Sequence, residues 1–166
     1  MVVKLKKILI KQVTFENCKD IVKEIVANIR TQDKDEMAYC GIDDLCYGLE
    51  HSVDYSTECY IATNDKGKIL CVFGVSRIIH AEYGRPVWLI GTKDMIGYSK
   101  EFVIHSRNII DRWLEKYGQL YNFVSETNTQ SIRWLKSIGA VFYMPQKYGT
   151  HGEKISLFVL EQRGNK

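Results

Sequence analysis

Runs of apolar residues along the chain predict seven short strands. Isoleucine, valine and aromatic residues concentrate in segments that polar turns interrupt, as the strands of a packed sheet require. We expect strands at residues 4–13, 59–63, 68–79, 87–92, 120–125, 140–143 and 155–160. The second and third of these strands are joined by the sequence Asn-Asp-Lys-Gly, which favours a tight hairpin turn.

Apolar residues at spacings of three and four predict helices between these strands. Such patterns cover residues 18–29, 102–117 and 131–138. Gly139 follows the last of them and can close a helix in the left-handed conformation. The polar segment at residues 31–58 is expected to hold a loop and a short second helix.

Taken in order, these elements are β, α, α, β, β, β, α, β, α, β, β, and we expect one domain over residues 1–166. Helices of this length between strands must cover the faces of a sheet, which predicts an α/β fold with a mixed sheet. The helix at 102–117 is a crossover connection, so the strands at 87–92 and 120–125 should be adjacent and parallel.

Residues 120–143 contain a strand, a polar turn, a short helix, a glycine and a second strand. This segment resembles the C-terminal half of the GNAT N-acetyltransferase fold. The usual family pattern there is Asn-x-x-Ala-x-x-Leu-Tyr-x-x-x-Gly-Phe. Four residues match the Asn, Ala, Leu and Gly of that pattern in position: Asn128, Ser131, Trp134 and Gly139. Leu135 stands where active members often carry a tyrosine that returns a proton to the CoA thiolate. The segment is most similar to a divergent GNAT-like group of short-tailed bacteriophages, called internal core or internal virion proteins.

The resemblance implies a GNAT-like mixed central sheet with helices on both faces and a site for acetyl-CoA. The family binds the CoA pyrophosphate on a loop written Gln/Arg-x-x-Gly-x-Gly/Ala, which corresponds to residues 94–99. Asp94 opposes a pyrophosphate by roughly 1 kcal/mol or more of repulsion, so binding should be weak. The alternative is an ordinary loop before a helix. The implied cofactor-binding residues are Gly97, Tyr98, Ser99, Lys100, Asn128 and Ser131.

The resemblance also implies candidates for catalysis. Asn128 ends a strand that should splay from its neighbour, where its amide can bond pantetheine, or it simply caps the next helix. His80, Glu82 and His105 are available to remove a proton from an amine, or are surface residues without a catalytic role. Because Leu135 can donate no proton, a tyrosine would have to replace it. The candidates are Tyr121, Tyr143 and Tyr148.

Composition narrows the class of protein. Of the 166 residues, 45% are hydrophobic and 26% are charged, as in an ordinary globular domain. A formal net charge of +3 is too small to predict binding to nucleic acid, and no apolar run reaches the ~20 residues of a membrane span. Five cysteines without a Cys-x-x-Cys pair favour a reducing compartment and predict no metal site. We therefore expect the protein in the cytosol of the cell that makes it, and the resemblance to phage proteins implies the cytoplasm of the host cell or the virion.

Two functions remain open at this point. The leading one is transfer of acetyl from acetyl-CoA to an amine, of a small molecule or a protein, by a phage-encoded protein with a degenerate site. The alternative is a catalytically inactive protein on the same fold, which acts in virion morphogenesis or host interaction with other phage proteins. The fold alone does not decide between the two functions. Gly97 and Asn128 favour acetyl transfer, whereas Asp94 and Leu135 favour the inactive protein.

Overall fold

The computed structural model describes residues 6–148 and 152–162. In this part of the chain the strands are β1 Ile8–Gln12, β2 Ser56–Asn64, β3 Ile69–Ser76, β4 Arg85–Gly91, β5 Leu120–Ser125, β6 Val141–Phe142, β7 Gln146–Tyr148 and β8 Glu153–Leu160. The helices are α1 Cys18–Ala27, α2 Thr31–Tyr39, α3 Leu45–Asp54, α4 Ser99–Tyr117 and α5 Thr129–Ser137. A single 3-10 turn, Lys93–Met95, precedes α4. The start of the first predicted strand, before Lys6, lies outside the described residues.

The strands form one mixed sheet in the order β1-β2-β3-β4-β5-β8-β6, and β7 also pairs with β8. Neighbouring strands are antiparallel except β4 and β5, which run parallel because α4 carries the chain back over the sheet between them. Each strand that the sequence predicts has a counterpart in this sheet. Within residues 6–148 and 152–162, no helix is both long and apolar enough to cross a membrane.

The polar segment at residues 31–58 contains two helices where the pattern predicts one. The residues that α2 buries are Asp33 and Met37, so this helix lacks the apolar periodicity that would reveal it. α3 begins after Asp44, whose carboxylate accepts the main-chain N–H of Tyr47 at 3.0 Å and caps the helix. The second difference is β7, a three-residue strand with no apolar pattern.

Two apolar clusters lie on opposite faces of the sheet. One packs α4 and α5 on the sheet through residues such as Phe102, Trp113 and Leu135. The other packs α1 and α3 on the sheet through residues such as Ile25 and Leu49. β3 is buried at all eight positions because helices cover both of its faces. The prediction of a GNAT-like α/β fold with helices on both faces is confirmed.

β4 and β5 pair only where they begin. Arg85 lies opposite Leu120 and Pro86 lies opposite Tyr121, and no further pair follows between these two strands. Each strand keeps its other neighbour, since β4 pairs with β3 as far as Gly91 and β5 pairs with β8 to its end. The two strands therefore separate toward their C-terminal ends, as predicted, and the sheet opens into a cleft.

Candidate functional site

The separation of β4 and β5 creates a cleft of about 1110 Å³. It reaches both faces of the sheet, since α2 lines it on one side and α4 and α5 line it on the other. Its lining is predominantly apolar and includes Leu89, Ile90, Phe102, Val124, Trp134 and Leu135. A cleft at the upper end of the usual ~300–1,000 Å³ range for ligand pockets makes this the candidate site.

Asn122 bridges the two strands at the point where they separate. Its side-chain Nδ2 donates to the carbonyl of Val87 on β4 at 2.6 Å. Its Oδ1 accepts the main-chain N–H of Phe123 on β5 at 2.8 Å. The amide thus replaces main-chain pairing at the apex of the cleft, and sequence reasoning gave no indication of this role.

The C-terminal end of β4 is bound by a buried ion pair on α2. Asp33 Oδ2 accepts the main-chain N–H of Gly91 at 2.7 Å, and the Gly91 carbonyl accepts the N–H of Arg30 at 2.9 Å. The Arg30 guanidinium donates to both oxygens of Asp33, at 2.8 and 3.0 Å. Both side chains are buried, with 3% exposure for Asp33 and 7% for Arg30. Both main-chain groups of Gly91 are therefore satisfied within the chain.

The C-terminal end of β5 is bound by a second carboxylate on α2. Glu36 Oε1 accepts the main-chain N–H of Ser125 and the side-chain amide of Asn128, each at 3.0 Å. Burial raises the pKa of the Glu36 carboxyl, and these two hydrogen bonds oppose that rise in part. α2 thus connects the ends of both strands across the opening of the cleft.

On β4, the main-chain groups of Leu89 face the cleft and take no part in the bonds to α2 or to Asn122. Residues two apart on a strand direct their N–H and C=O groups to the same side, and the groups of Gly91 face away from β3. Val87 and Leu89 therefore face the cleft as well, and the Val87 carbonyl already accepts Asn122. The N–H of Leu89 is placed where a main-chain donor could polarise a carbonyl.

The predicted cofactor loop contains its glycine but lacks a free anion site. Gly97 has a φ of +90°, and α4 begins two residues later at Ser99, so Tyr98, Ser99 and Lys100 surround the helix N-terminus as expected. The Gly97 carbonyl accepts Lys6 Nζ at 2.9 Å. Glu101, which is 7% exposed, points its carboxylate back to the first turn and accepts the main-chain N–H of Lys6 at 3.0 Å.

The carboxylate of Glu101 already supplies a negative charge to the N-terminus of α4. The hydrogen bond from Lys6 lowers the pKa of Glu101, so its charge is retained near the helix end. Asp94, the acid that departs from the family loop, accepts Asn28 Nδ2 at 2.8 Å. A pyrophosphate at this position would meet two carboxylates, one of them buried.

Asn128 joins α5 to α2. Its Oδ1 accepts the main-chain N–H of Ser131 at 3.2 Å, so the N-cap that the sequence allows is present. Its Nδ2 is used on Glu36, and the residue is only 2% exposed. Ser131 lines the cleft one turn further on.

His80 and Glu82 lie at the other end of β4 from Asn128. Both are exposed in the loop between β3 and β4, and His80 Nδ1 accepts the main-chain N–H groups of Glu82 and Tyr83, each at 3.1 Å. Only Glu82 lines the cleft. The structure does not bring these two residues together with Asn128.

Leu135 lies in the core with 3% exposure and lines the cleft without a polar group. Of the tyrosines considered as replacements, Tyr143 lines the cleft and Tyr121 packs on Tyr83 with ring centroids 5.4 Å apart. The side chain of Tyr148 lies outside the described residues. Among residues 6–148 and 152–162, no group of three or more His, Cys, Asp or Glu side chains is arranged to hold a metal ion.

Solved acetyltransferases share this fold over nearly the whole chain. The GNAT-family acetyltransferase from Streptococcus pneumoniae has a TM-score of 0.67 at 13% identity, and the match covers 95% of this chain and 100% of that one. The GNAT-family acetyltransferase from Bacillus anthracis has a TM-score of 0.65 at 13% identity, and the match covers 97% of this chain and 98% of that one. Spermidine N-acetyltransferase from Vibrio cholerae, solved with CoA and spermine, has a TM-score of 0.64 at 13% identity, and the match covers 93% of this chain and 95% of that one. At these identities the likeness establishes the fold, which is that of the GNAT acetyltransferases.

The sequence also matches a phage family. Residues 63–146 match the family described as "Bacteriophage T7, probable scaffold protein Gp13". The "Probable scaffold protein gp13" of Escherichia phage T7 is 31% identical over 121 residues, which cover 70% of this chain and 80% of that protein. The chain belongs to this phage family, and the expected resemblance to GNAT-like phage proteins is confirmed.

Proposed function

We propose that this protein acts as a scaffold in phage morphogenesis and does not transfer acetyl groups. One observation carries the proposal: side chains of α2 and β5 already occupy three main-chain donors of the cleft, which leaves the N–H of Leu89. Gly91 donates to Asp33, Ser125 donates to Glu36, and the N–H of Phe123 is taken within β5. An acyl-CoA arm that binds between two separated strands needs such donors to be free.

The magnitudes favour the internal contacts over a cofactor. A hydrogen bond to a carboxylate is worth about 1.5–3 kcal/mol, and one to the neutral amide of a pantetheine arm is worth about 0.5–1.5 kcal/mol. Replacing the contacts of Asp33 and Glu36 would therefore cost about 2 kcal/mol, which is about 30-fold in affinity. The carboxylate of Glu101 at the α4 N-terminus adds repulsion at the pyrophosphate.

The chemistry is weakened independently of binding. Leu135 can return no proton to a thiolate, and general acid catalysis by a tyrosine there is typically worth about 10²- to 10⁴-fold in rate. The remaining similarity to the acetyltransferases is in the residues that build the fold. The T7 relative, whose name describes a probable scaffold protein, supports assembly as the role of this chain.

Acetyl transfer is the second candidate, and Glu36 is the observation that favours it. Its pKa is raised by burial at the edge of an apolar cleft, as is typical of a general base. In this alternative, acetyl-CoA would enter the cleft and the Leu89 N–H would polarise its thioester carbonyl. Glu36 would then take a proton from the amine of a small molecule or protein.

Transfer of labelled acetyl from acetyl-CoA to host lysate and to polyamines distinguishes the two functions. We expect no transfer by the native protein, whereas a phage that lacks it should fail in assembly and be rescued by Glu36→Gln, which keeps an oxygen for the Ser125 and Asn128 donors. Transfer that disappears in Glu36→Gln, together with failed rescue by that variant, would establish the enzyme and overturn the proposal.

A further inference from the structure

The outer face of α3 carries three exposed rings, Tyr47, His51 and Tyr55, which we call the α3 ridge. The residues are spaced by four and therefore lie on one side of the helix. Their ring centroids are 6.1 Å apart for the first pair and 4.3 Å apart for the second. Tyr47 is 67% exposed, and α3 packs on the protein through its opposite side at Gly48 and Leu49. The ridge therefore contributes little to the core.

The segment that contains the ridge is acidic in a chain that is otherwise basic. Residues 31–58 contain eight acids and one lysine, for a formal charge of −7, but three of the acids are bonded elsewhere. Asp33 and Glu36 bond the strand ends at the cleft, and Glu58 bonds the Tyr60 hydroxyl. Because the whole chain has +3, the other residues together carry +10.

Asp43 and Asp44 precede the ridge in the chain, and Asp54 directly precedes Tyr55. All three are exposed, and none of them forms an ion pair within the described residues. This surface attracts cations.

One ring of the ridge already contacts a cation. The Arg77 guanidinium lies 4.7 Å from the centroid of the Tyr55 ring and donates to the main-chain carbonyl of Asp54 at 3.1 Å. Within the described residues, no such contact covers Tyr47 or His51. Ile78 and Ile79, which follow Arg77 in the chain, are 53% and 65% exposed. Exposed rings next to carboxylates suit lysine and arginine, whose charged heads bind to ring faces and whose stems cover apolar surface.

We propose that the α3 ridge is a docking surface for a basic segment of a partner protein, one that carries lysine and arginine side chains. The exposed carboxylates of Asp43, Asp44 and Asp54 select the sign of the partner. The rings provide contact area that desolvates its cations. The ridge lies before residue 63, where the match to the phage family begins, so the match does not by itself assign this surface. The cleft is built from other residues, and the proposal stands whether or not the cleft holds acyl-CoA.

Fluorescence anisotropy with a labelled oligolysine peptide tests the proposal, with an oligoglutamate peptide of equal length as control. We expect the native protein to bind oligolysine at least about ten-fold more tightly at low salt, with the preference falling as salt screens the surface. Two double variants, Tyr47→Ala with Tyr55→Ala and Asp43→Asn with Asp54→Asn, should each weaken binding by about five-fold or more.

Ile104→Ala is the control for the ring variants, because Ile104 is 49% exposed on α4, which packs on the opposite face of the sheet from α3. Asp111→Asn, at an exposed position on α4, is the control for the charge variants. Oligolysine binding that survives both double variants, or that is lost equally in the controls, would overturn the proposal. Sedimentation provides the other outcome: a salt-sensitive oligomer that the ridge variants dissociate, without peptide binding, would show that a second copy of the chain occupies the ridge.

Discussion

Glu36 on α2 accepts the main-chain N–H of Ser125, the last residue of β5, at 3.0 Å. This contact and the bond from Gly91 to Asp33 tie one helix to both strands that border the cleft. The fold of an acetyltransferase is thus combined with a cleft whose donors serve the stability of the chain.

Glu36→Gln should change the pH dependence of stability. Burial raises the pKa of the Glu36 carboxyl above its ordinary value of 4.5, so the folded chain holds this proton more tightly than the unfolded chain. The native protein therefore loses stability as the pH rises from 4.5 through the raised pKa. The amide variant has no such loss, so its free energy of unfolding relative to native should increase from about pH 5 to about pH 8 in urea titrations. Glu115→Gln, at an exposed position on α4, should show no such trend, and a trend of opposite sign for Glu36→Gln would contradict the prediction.

Glu58→Gln should destabilise the protein at neutral pH. Burial alone would raise the pKa of Glu58, but hydrogen bonds from the Tyr117 and Tyr60 hydroxyls lower it to about 2. A lowered pKa gives stability that is complete above the ordinary value of 4.5 and is lost as the pH falls toward about 2. We expect a loss of about 1–3 kcal/mol in the free energy of unfolding at about pH 7, from weakened hydrogen bonds to a charged group. The difference from native should shrink at about pH 3. A difference that stays constant would mean that the charge of Glu58 plays no part.

Asn122→Leu should destabilise the apex of the cleft. The leucine has a similar size but leaves the Val87 carbonyl and the Phe123 N–H without their partner. We expect a loss of about 1–3 kcal/mol, mainly the cost of leaving the half-buried Val87 carbonyl unpaired, because the Phe123 N–H is exposed to water. Asn28→Leu is the control, since its bond to Asp94 is solvent-exposed and should matter by under about 0.5 kcal/mol. Equal losses in the two variants, measured by chemical denaturation, would remove the special role of Asn122.

Glu101→Gln should improve anion binding at the α4 N-terminus more than Asp94→Gln. Glu101 is buried beside the first turn, whereas Asp94 is exposed and bonded to Asn28. A buried charge is screened less by water and salt, so its removal relieves more repulsion. Calorimetry with pyrophosphate should show at least about a five-fold gain for Glu101→Gln and a smaller gain for Asp94→Gln. The reverse order would locate the anion site at Asp94, as the family loop implies.

Local pattern was sufficient to predict most of the fold. The strand at 120–125, the cap at Asn128 and the closing Gly139 all depend on residues near each other in sequence, and the structure contains each of them. The parallel pairing of β4 and β5 followed from the crossover helix, and their divergence followed from the resemblance. α2 was missed because it buries Asp33, a residue that apolar periodicity cannot reveal.

The contacts that define the cleft could not be predicted from the sequence. Asp33 and Glu36 bond main-chain groups 58 and 89 residues away, and Asn122 bonds one 35 residues away. Main-chain acceptors and donors carry no side-chain signature, so nothing in the pattern identifies their partners. Asn128 was recognised, but its bond to Glu36 depends on the packing of α2, which only the tertiary structure shows.

NMR tests most directly whether the cleft donors are occupied. Acetyl-CoA is titrated into the labelled protein, and the amide signals of Gly91 and Ser125 are observed. Both amides are bonded to buried or half-buried carboxylates, so we expect slow hydrogen exchange and no shift of either signal up to about millimolar acetyl-CoA. Loss of exchange protection without ligand would show that these donors are free, and shifts of both signals at about micromolar acetyl-CoA would show that the cofactor displaces Asp33 and Glu36. Either result would contradict the proposed function.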